Sequence, residues 1–279
     1  MTTHTAPQRR IGPGQRFFQA IALATATLLA ACATPAKAPE TPKAPELGLY
    51  ELRVYTAAEG KMAALDARFR DHTTKLFARH GMTNIGYFKP VTAAGGAPDN
   101  RLFYILGYKD RAARDASWKA FATDPEWVSV YQASQAQGSL TTAIASTFFT
   151  PAEYATTLNL SSSAAPRLFE LREYRAVPGK LENVHARFRD HTRRIFEKHA
   201  MTNIAYFRPV AGQTNLENKM TYLLAFPSAE ARSASWRAFA QDPEWQSVAK
   251  ESEKDGPILD QPGAIVSVQM TPTDYSPLK

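Results

Sequence analysis

The chain has 279 residues, 44% of them apolar and 21% charged, which suits two ordinary globular domains and excludes a disordered or fibrous protein. Its formal charge is +7, yet Arg9, Arg10 and Arg16 belong to a leader segment. The remaining 30 basic and 26 acidic residues form no Lys/Arg run, so nucleic acid is not an expected partner.

The N-terminal residues 1–31 read as an export signal. Three arginines precede an apolar stretch from Phe17 to Ala31, which is short for a membrane-spanning helix. The stretch ends in Leu29-Ala30-Ala31-Cys32, which resembles a bacterial lipobox. That resemblance implies that Cys32 is lipidated, becomes the new N-terminus, and holds the protein in the cell envelope facing the periplasm. Cys32 is also the single cysteine, so no disulfide can form within the chain. Residues 32–47, rich in Pro, Ala and charge, read as a semi-extended tether.

Two copies of one unit follow, expected over 48–154 and 167–275 with a linker at 155–166. RFRDHTTKLFARHGMTNIGYFKPV from Arg68 to Val91 is rewritten as RFRDHTRRIFEKHAMTNIAYFRPV from Arg187 to Val210. Length differences between the copies fall near Ala93–Pro98 and Gly138, where loops belong. Each copy opens with an alternating strand, Tyr50–Tyr55 in the first. A helical stripe comes next: Met62, Leu65, Phe69, His72 and Leu76, matched by Leu181, Val184, Phe188, His191 and Ile195. Gly81 is a plausible helix stop, although Ala200 replaces it in the second copy. A strand pair, a second helix around Trp118 or Trp236, a Pro-led turn at Asp124 or Asp242 and a last strand complete the unit. This β-α-β-β-α-β order predicts an α+β fold of two tandem ferredoxin-like units. Each unit leaves one sheet face bare, so the units are expected to pack sheet-to-sheet as a pseudo-dimer within one chain.

ELRVY, the RFRDHT…NIGYF block and SWKAF…DPEW resemble the NIPSNAP family of the dimeric α/β-barrel superfamily, in order and twice. The resemblance implies a barrel built from both copies. Members of the wider superfamily degrade haem, oxidise aromatic polyketides or isomerise lactones, with pockets between sheet and helices. NIPSNAP proteins themselves have no agreed reaction, and the mitochondrial roles of eukaryotic members do not carry over to an exported bacterial lipoprotein.

Among candidate site residues, His72 and His191 stand on the apolar stripe, where an imidazole needs a hydrogen-bond partner. They are either core histidines or catalytic groups of a helix–sheet pocket; the resemblance adds haem, with one of them as axial ligand. His80 and His199 suit a helix C-terminus, and His185, aligned with Asp66, reads as solvated surface. If Leu52 and Val54 meet the helices, then Glu51, Arg53 and Tyr55 face the seam between sheets, as do Glu170, Arg172 and Tyr174. Arg53 and Arg172 there form a structural ion pair or bind a ligand carboxylate. Tyr87, Tyr104, Tyr206 and Tyr222 offer hydroxyls from the middle strands, for packing or for a ligand. Trp118 and Trp236 read as core. No HExxH, Gly-rich phosphate loop or nucleophile elbow occurs, and no metal site is expected. The functional expectation is a lipid-anchored protein that binds a small molecule or acts on one as a cofactor-independent monooxygenase- or isomerase-like enzyme; a non-catalytic structural or interaction lipoprotein is the alternative.

Overall fold

A computed structural model describes residues 46–92, 96–97, 99–161, 163 and 165–279. The leader, Cys32 and most of the tether lie outside the described residues, as do a few positions of the 93–98 loop and the interdomain linker. The described residues form one compact unit.

Each copy has the expected order. The first comprises β1 (Leu49–Ala57), a long helix, β2 (Thr83–Pro90), β3 (Arg101–Tyr108), α3 (Arg111–Ala122), α4 (Pro125–Gln135) and β4 (Thr141–Pro151). The long helix consists of α1 (Met62–Arg68), a π-helical turn (Phe69–Thr73) and α2 (Thr74–Arg79). The second copy repeats this as β5 (Leu168–Arg175), α5 (Leu181–Arg187), a π-helical turn (Phe188–Thr192), α6 (Arg193–Lys198), β6 (Thr202–Pro209), β7 (Lys219–Phe226), α7 (Ala229–Gln241), α8 (Pro243–Ser252) and β8 (Ile265–Pro272). Asp124 and Asp242 cap α4 and α8 ahead of a proline at the first turn; proline suits that place because its missing N–H would be unpaired anyway.

The eight strands close into one antiparallel barrel in the order β1-β3-β2-β8-β5-β7-β6-β4. The copies join edge to edge: β2 pairs with β8 at Phe88–Pro90, and β4 pairs with β6 at Phe149–Pro151. Closure removes the edges an isolated four-stranded sheet would expose along these segments. The two bare faces become one interior, filled by Tyr50, Phe88, Phe149, Phe169, Phe207 and Met270 with Leu52 and Val54 against them. Two further cores, one per copy, lie between sheet and helices.

This packing corrects the phase of the first strand. Leu52 and Val54 face the barrel interior, and Glu51, Arg53 and Tyr55 face the helices, with the same exchange in β5. A two-residue period separates the faces of a strand without saying which face meets which layer. The decision lies with α3 and α7, whose Arg114, Trp118, Arg232 and Trp236 supply donors to the strand's carboxylates.

The helix stop also differs from a plain glycine cap. Gly81 has φ +77° and Ala200 has φ +56°, so both copies turn through the left-handed region. An alanine there is strained where a glycine is not. Ala200→Gly is expected to stabilise the protein by roughly 0.5–1 kcal/mol, seen as a higher urea midpoint; an unmoved midpoint would mean that the turn carries no strain.

Candidate functional site

The space beneath the first helix is packed with rings. Phe69 lies 5.2 Å from Tyr104 and Tyr87 stacks on Tyr104 at 5.4 Å; Phe188, Tyr206 and Tyr222 repeat the set, with Tyr206 and Tyr222 5.6 Å apart. All four tyrosines are fully buried. Tyr104 accepts a hydrogen bond from Arg53 Nε at 2.8 Å, and Tyr222 accepts one from Arg172 Nε at 2.9 Å. Tyr87 and Tyr206 donate to Asn84 and Asn203. Burial pushes the pKa of all four hydroxyls well above the ordinary phenol range. The structure therefore gathers Arg53, Tyr87 and Tyr104 in one layer, and Arg172, Tyr206 and Tyr222 in the other.

At the edge of each layer sits a buried carboxylate with every acceptor direction used. Glu51, 0% exposed, takes Arg53 Nη1 at 2.6 Å, Arg114 Nε and Nη2 at 3.0 and 2.9 Å, and Ser146 Oγ at 2.6 Å. Trp118 Nε1 and Tyr108 Oη each approach to 3.2 Å. Glu170 repeats this with Arg172, Arg232, Trp236 and Ser267. The arginines also stack: the guanidinium carbons of Arg53 and Arg172 lie 4.4 and 4.3 Å from the rings of Trp118 and Trp236. Burial by itself would raise the two carboxyls. Hydrogen bonds from Arg114 and Ser146, with the charge of Arg53, outweigh it and hold Glu51 at about 2; Arg232 and Arg172 do the same for Glu170. Such a carboxylate has no lone pair left for a substrate proton, and its chemistry is to fasten the second helix to the sheet. Arg114 and Trp118, like Arg232 and Trp236, are four residues apart on one helix face; that repeated spacing is the signal by which their shared target could have been anticipated.

His72 and His191 do not turn inward. His72 is half-buried and His191 is exposed. The cause is the π-helical turn, which inserts one residue into the helical period. In each copy the amide after the turn bonds five residues back, Thr74 to Phe69 and Arg193 to Phe188. The stripe therefore passes from Phe69 to Thr73, Leu76 and Phe77, leaving His72 outside it. Thr73 and Thr192 are buried, and their hydroxyls donate to the carbonyls of Arg68 and Arg187 at 3.0 Å. A haem bound through His72 or His191 does not fit this arrangement: one ring is exposed, and rings fill the helix–sheet layer.

The other histidines are better placed than the stripe pair. His80 Nε2 lies 2.7 Å from Asp124 Oδ2 and His199 Nε2 lies 2.6 Å from Asp242 Oδ2, tying the end of each first helix to the cap of the next short helix. His185 is fully buried rather than solvated. The tail of the first copy crosses onto the second, and Tyr154 Oη comes within 2.9 Å of His185 Nδ1. Reciprocally, Tyr275 of the second copy donates to Asp66 of the first at 2.8 Å. This exchange covers both positions, which local sequence cannot reveal. Among the described residues no group of His, Cys, Asp and Glu is arranged to hold a metal.

A cleft of about 400 Å³ lies between the first helix of the second copy and α8, lined by Arg187, Asp190, His191, Ser247 and Glu251 among others. The barrel mouth holds a smaller cavity of about 190 Å³ lined by both copies, with Arg101 and Glu173 beside Phe103, Leu171 and Val266.

The NIPSNAP family model matches residues 50–156 and 169–277, twice in tandem and over most of the chain. The chain belongs to the NIPSNAP family. As a NIPSNAP protein it supplies from one polypeptide the two units of a dimeric α/β barrel. Its fold is similar to that of a "putative monooxygenase" from Lactobacillus acidophilus NCFM, at TM-score 0.53 and 11% identity, covering 83% of this chain and 98% of that one. It is likewise similar to a "putative monooxygenase" from Fusobacterium nucleatum subsp. nucleatum, at TM-score 0.51 and 10% identity, covering 84% and 93%. At such identity the likeness is one of fold. No curated protein matches the chain.

Proposed function

We propose that this NIPSNAP protein is a lipid-anchored binding protein of the cell envelope that holds a small molecule in a cleft of its outer helical layer. The observation that carries the reading is the cleft beside α8, where the buried Arg187 and the exposed His191 line the same space of about 400 Å³. A concave site with a few polar groups is the ordinary form of a small-molecule site. The helix–sheet layer, where superfamily relatives keep their pockets, is here filled by aromatic rings and spent carboxylates, which favours binding over acid–base chemistry.

Two measurements test this. Cys32→Ser is expected to move the protein from the membrane fraction to the supernatant, or to leave its leader uncleaved; a processed, membrane-bound variant overturns the anchor. Native mass spectrometry of the full-length protein extracted from membranes is expected to find a bound small molecule that Arg187→Ala loses. Protein free of any adduct overturns the binding reading.

A further inference from the structure

Each copy buries an arginine at the end of the first helical segment, Arg68 and Arg187, at 7% and 5% exposure. Both lie against the tryptophan of the following short helix: the guanidinium carbon of Arg68 is 5.5 Å from the Trp127 ring, and that of Arg187 is 5.3 Å from Trp245. The Nε atoms of both are buried without an acceptor.

The two copies differ in what answers the charge. Arg187 Nη1 has Glu253 Oε1 at 3.2 Å, with Ser252 Oγ at 3.4 Å. In the first copy the aligned residues are Gln135 for Glu253 and Ser134 for Ser252, and Ala133 stands where the second copy has Glu251. Arg68 accordingly has Ser134 Oγ at 3.1 Å as its hydrogen-bond partner and no carboxylate paired with it among the described residues. Gln135 cannot supply one, and its side-chain carbonyl instead accepts from Leu140 N. A buried cation without a counter-charge is costly, more so than a pair. Aromatic faces at 5.5 and 5.7 Å, from Trp127 and Tyr131, offset part of that cost.

We propose that Arg68 binds the carboxylate of a small organic acid with an apolar body, at the place that Arg187 fills with its own Glu253. This is a site of the first copy, apart from the cleft beside α8 in the second. The Nη1 end of the Arg68 guanidinium, where Arg187 has Glu253, carries N–H groups that can donate to a ligand carboxylate. Trp127 and Tyr131 supply flat apolar walls for the rest of the molecule. Tyr131 occupies the position of Ala249, and its side chain is 47% exposed, so it can rotate aside quickly to admit a ligand. Glu253 answers Arg187 in the second copy, so this carboxylate site belongs to the first copy.

Calorimetric titration of the full-length protein in detergent, at constant ionic strength, uses sodium benzoate as probe and sodium phosphate as comparison. Wild type is expected to bind one equivalent of benzoate and Arg68→Gln to lose it. Because Arg68→Gln also disturbs a buried side chain, Gln135→Glu is the deciding variant. It installs the second copy's internal carboxylate and is expected to weaken benzoate at least tenfold with an unfolding midpoint no lower than wild type. Wild-type affinity in Gln135→Glu, or no saturable benzoate heat in wild type, overturns the proposal; phosphate binding in preference to benzoate overturns the carboxylate class. Benzoate binding is expected to persist in Arg187→Ala protein; its loss there would assign the heat to the cleft beside α8 and overturn the proposal.

Discussion

Glu51→Gln is expected to remove about 3–5 kcal/mol from the free energy of unfolding, and Glu170→Gln a similar amount. The substitution preserves shape but deletes the charge that answers two arginines in each cluster, Arg53 with Arg114 and Arg172 with Arg232. Glu51 and Glu170 are completely buried, so water cannot take over the lost contacts. The new amide would also point N–H groups at donors already in place, leaving several unpaired. Because these contacts join strand to second helix, the loss should appear as a lower urea midpoint together with faster proteolysis of the α3–α4 or α7–α8 segment. A cost below about 1 kcal/mol, the range of an exposed pair, would show that the clusters do not fasten the helices.

Stability is expected to fall in two stages as the solution is acidified. Burial first, and then the nearby charge of Arg208, push the His185 imidazole down to about 4, against an ordinary value of 6.5. Between those values the unfolded chain takes up a proton that the folded one refuses, so stability is complete above pH 6.5 and declines toward pH 4. The decline is on the order of 3 kcal/mol, from about 1.4 kcal/mol per unit. The second stage belongs to Glu51 and Glu170, held at about 2 against 4.5 when exposed. Their contribution is present above pH 4.5 and is lost as pH falls toward 2. His185→Asn keeps a partner for Tyr154 and removes the titration, so its unfolding midpoint should stay flat from pH 6.5 to 4.5. A variant that declines as wild type does over that range would assign the first stage to another group.

The duplicated blocks, the strand and helix order and the Asp-Pro starts of the short helices are local patterns. From them the α+β class, the tandem units and their union in one barrel were legible, because periodicity and turn residues act over a few neighbours. The roster of polar residues near the helix–sheet layer was legible too, since Arg53, Tyr87 and Tyr104 meet there as Arg172, Tyr206 and Tyr222 do. Orientation was not. Alternation in ELRVY separates two faces, but only the donors arriving from α3, some sixty residues later in the chain, select the helix side for Glu51 and Arg53. His72 was misplaced because a helical period assumes 3.6 residues per turn, and the π-helical turn at Phe69–Thr73 breaks that assumption at the residue concerned. His185 looked solvated for want of the Tyr154 tail that the other copy lays over it. Composition and spacing thus determined the repeats and their elements, whereas the side each charge faces, and which arginine lacks a carboxylate, were decided by contacts between segments distant in sequence.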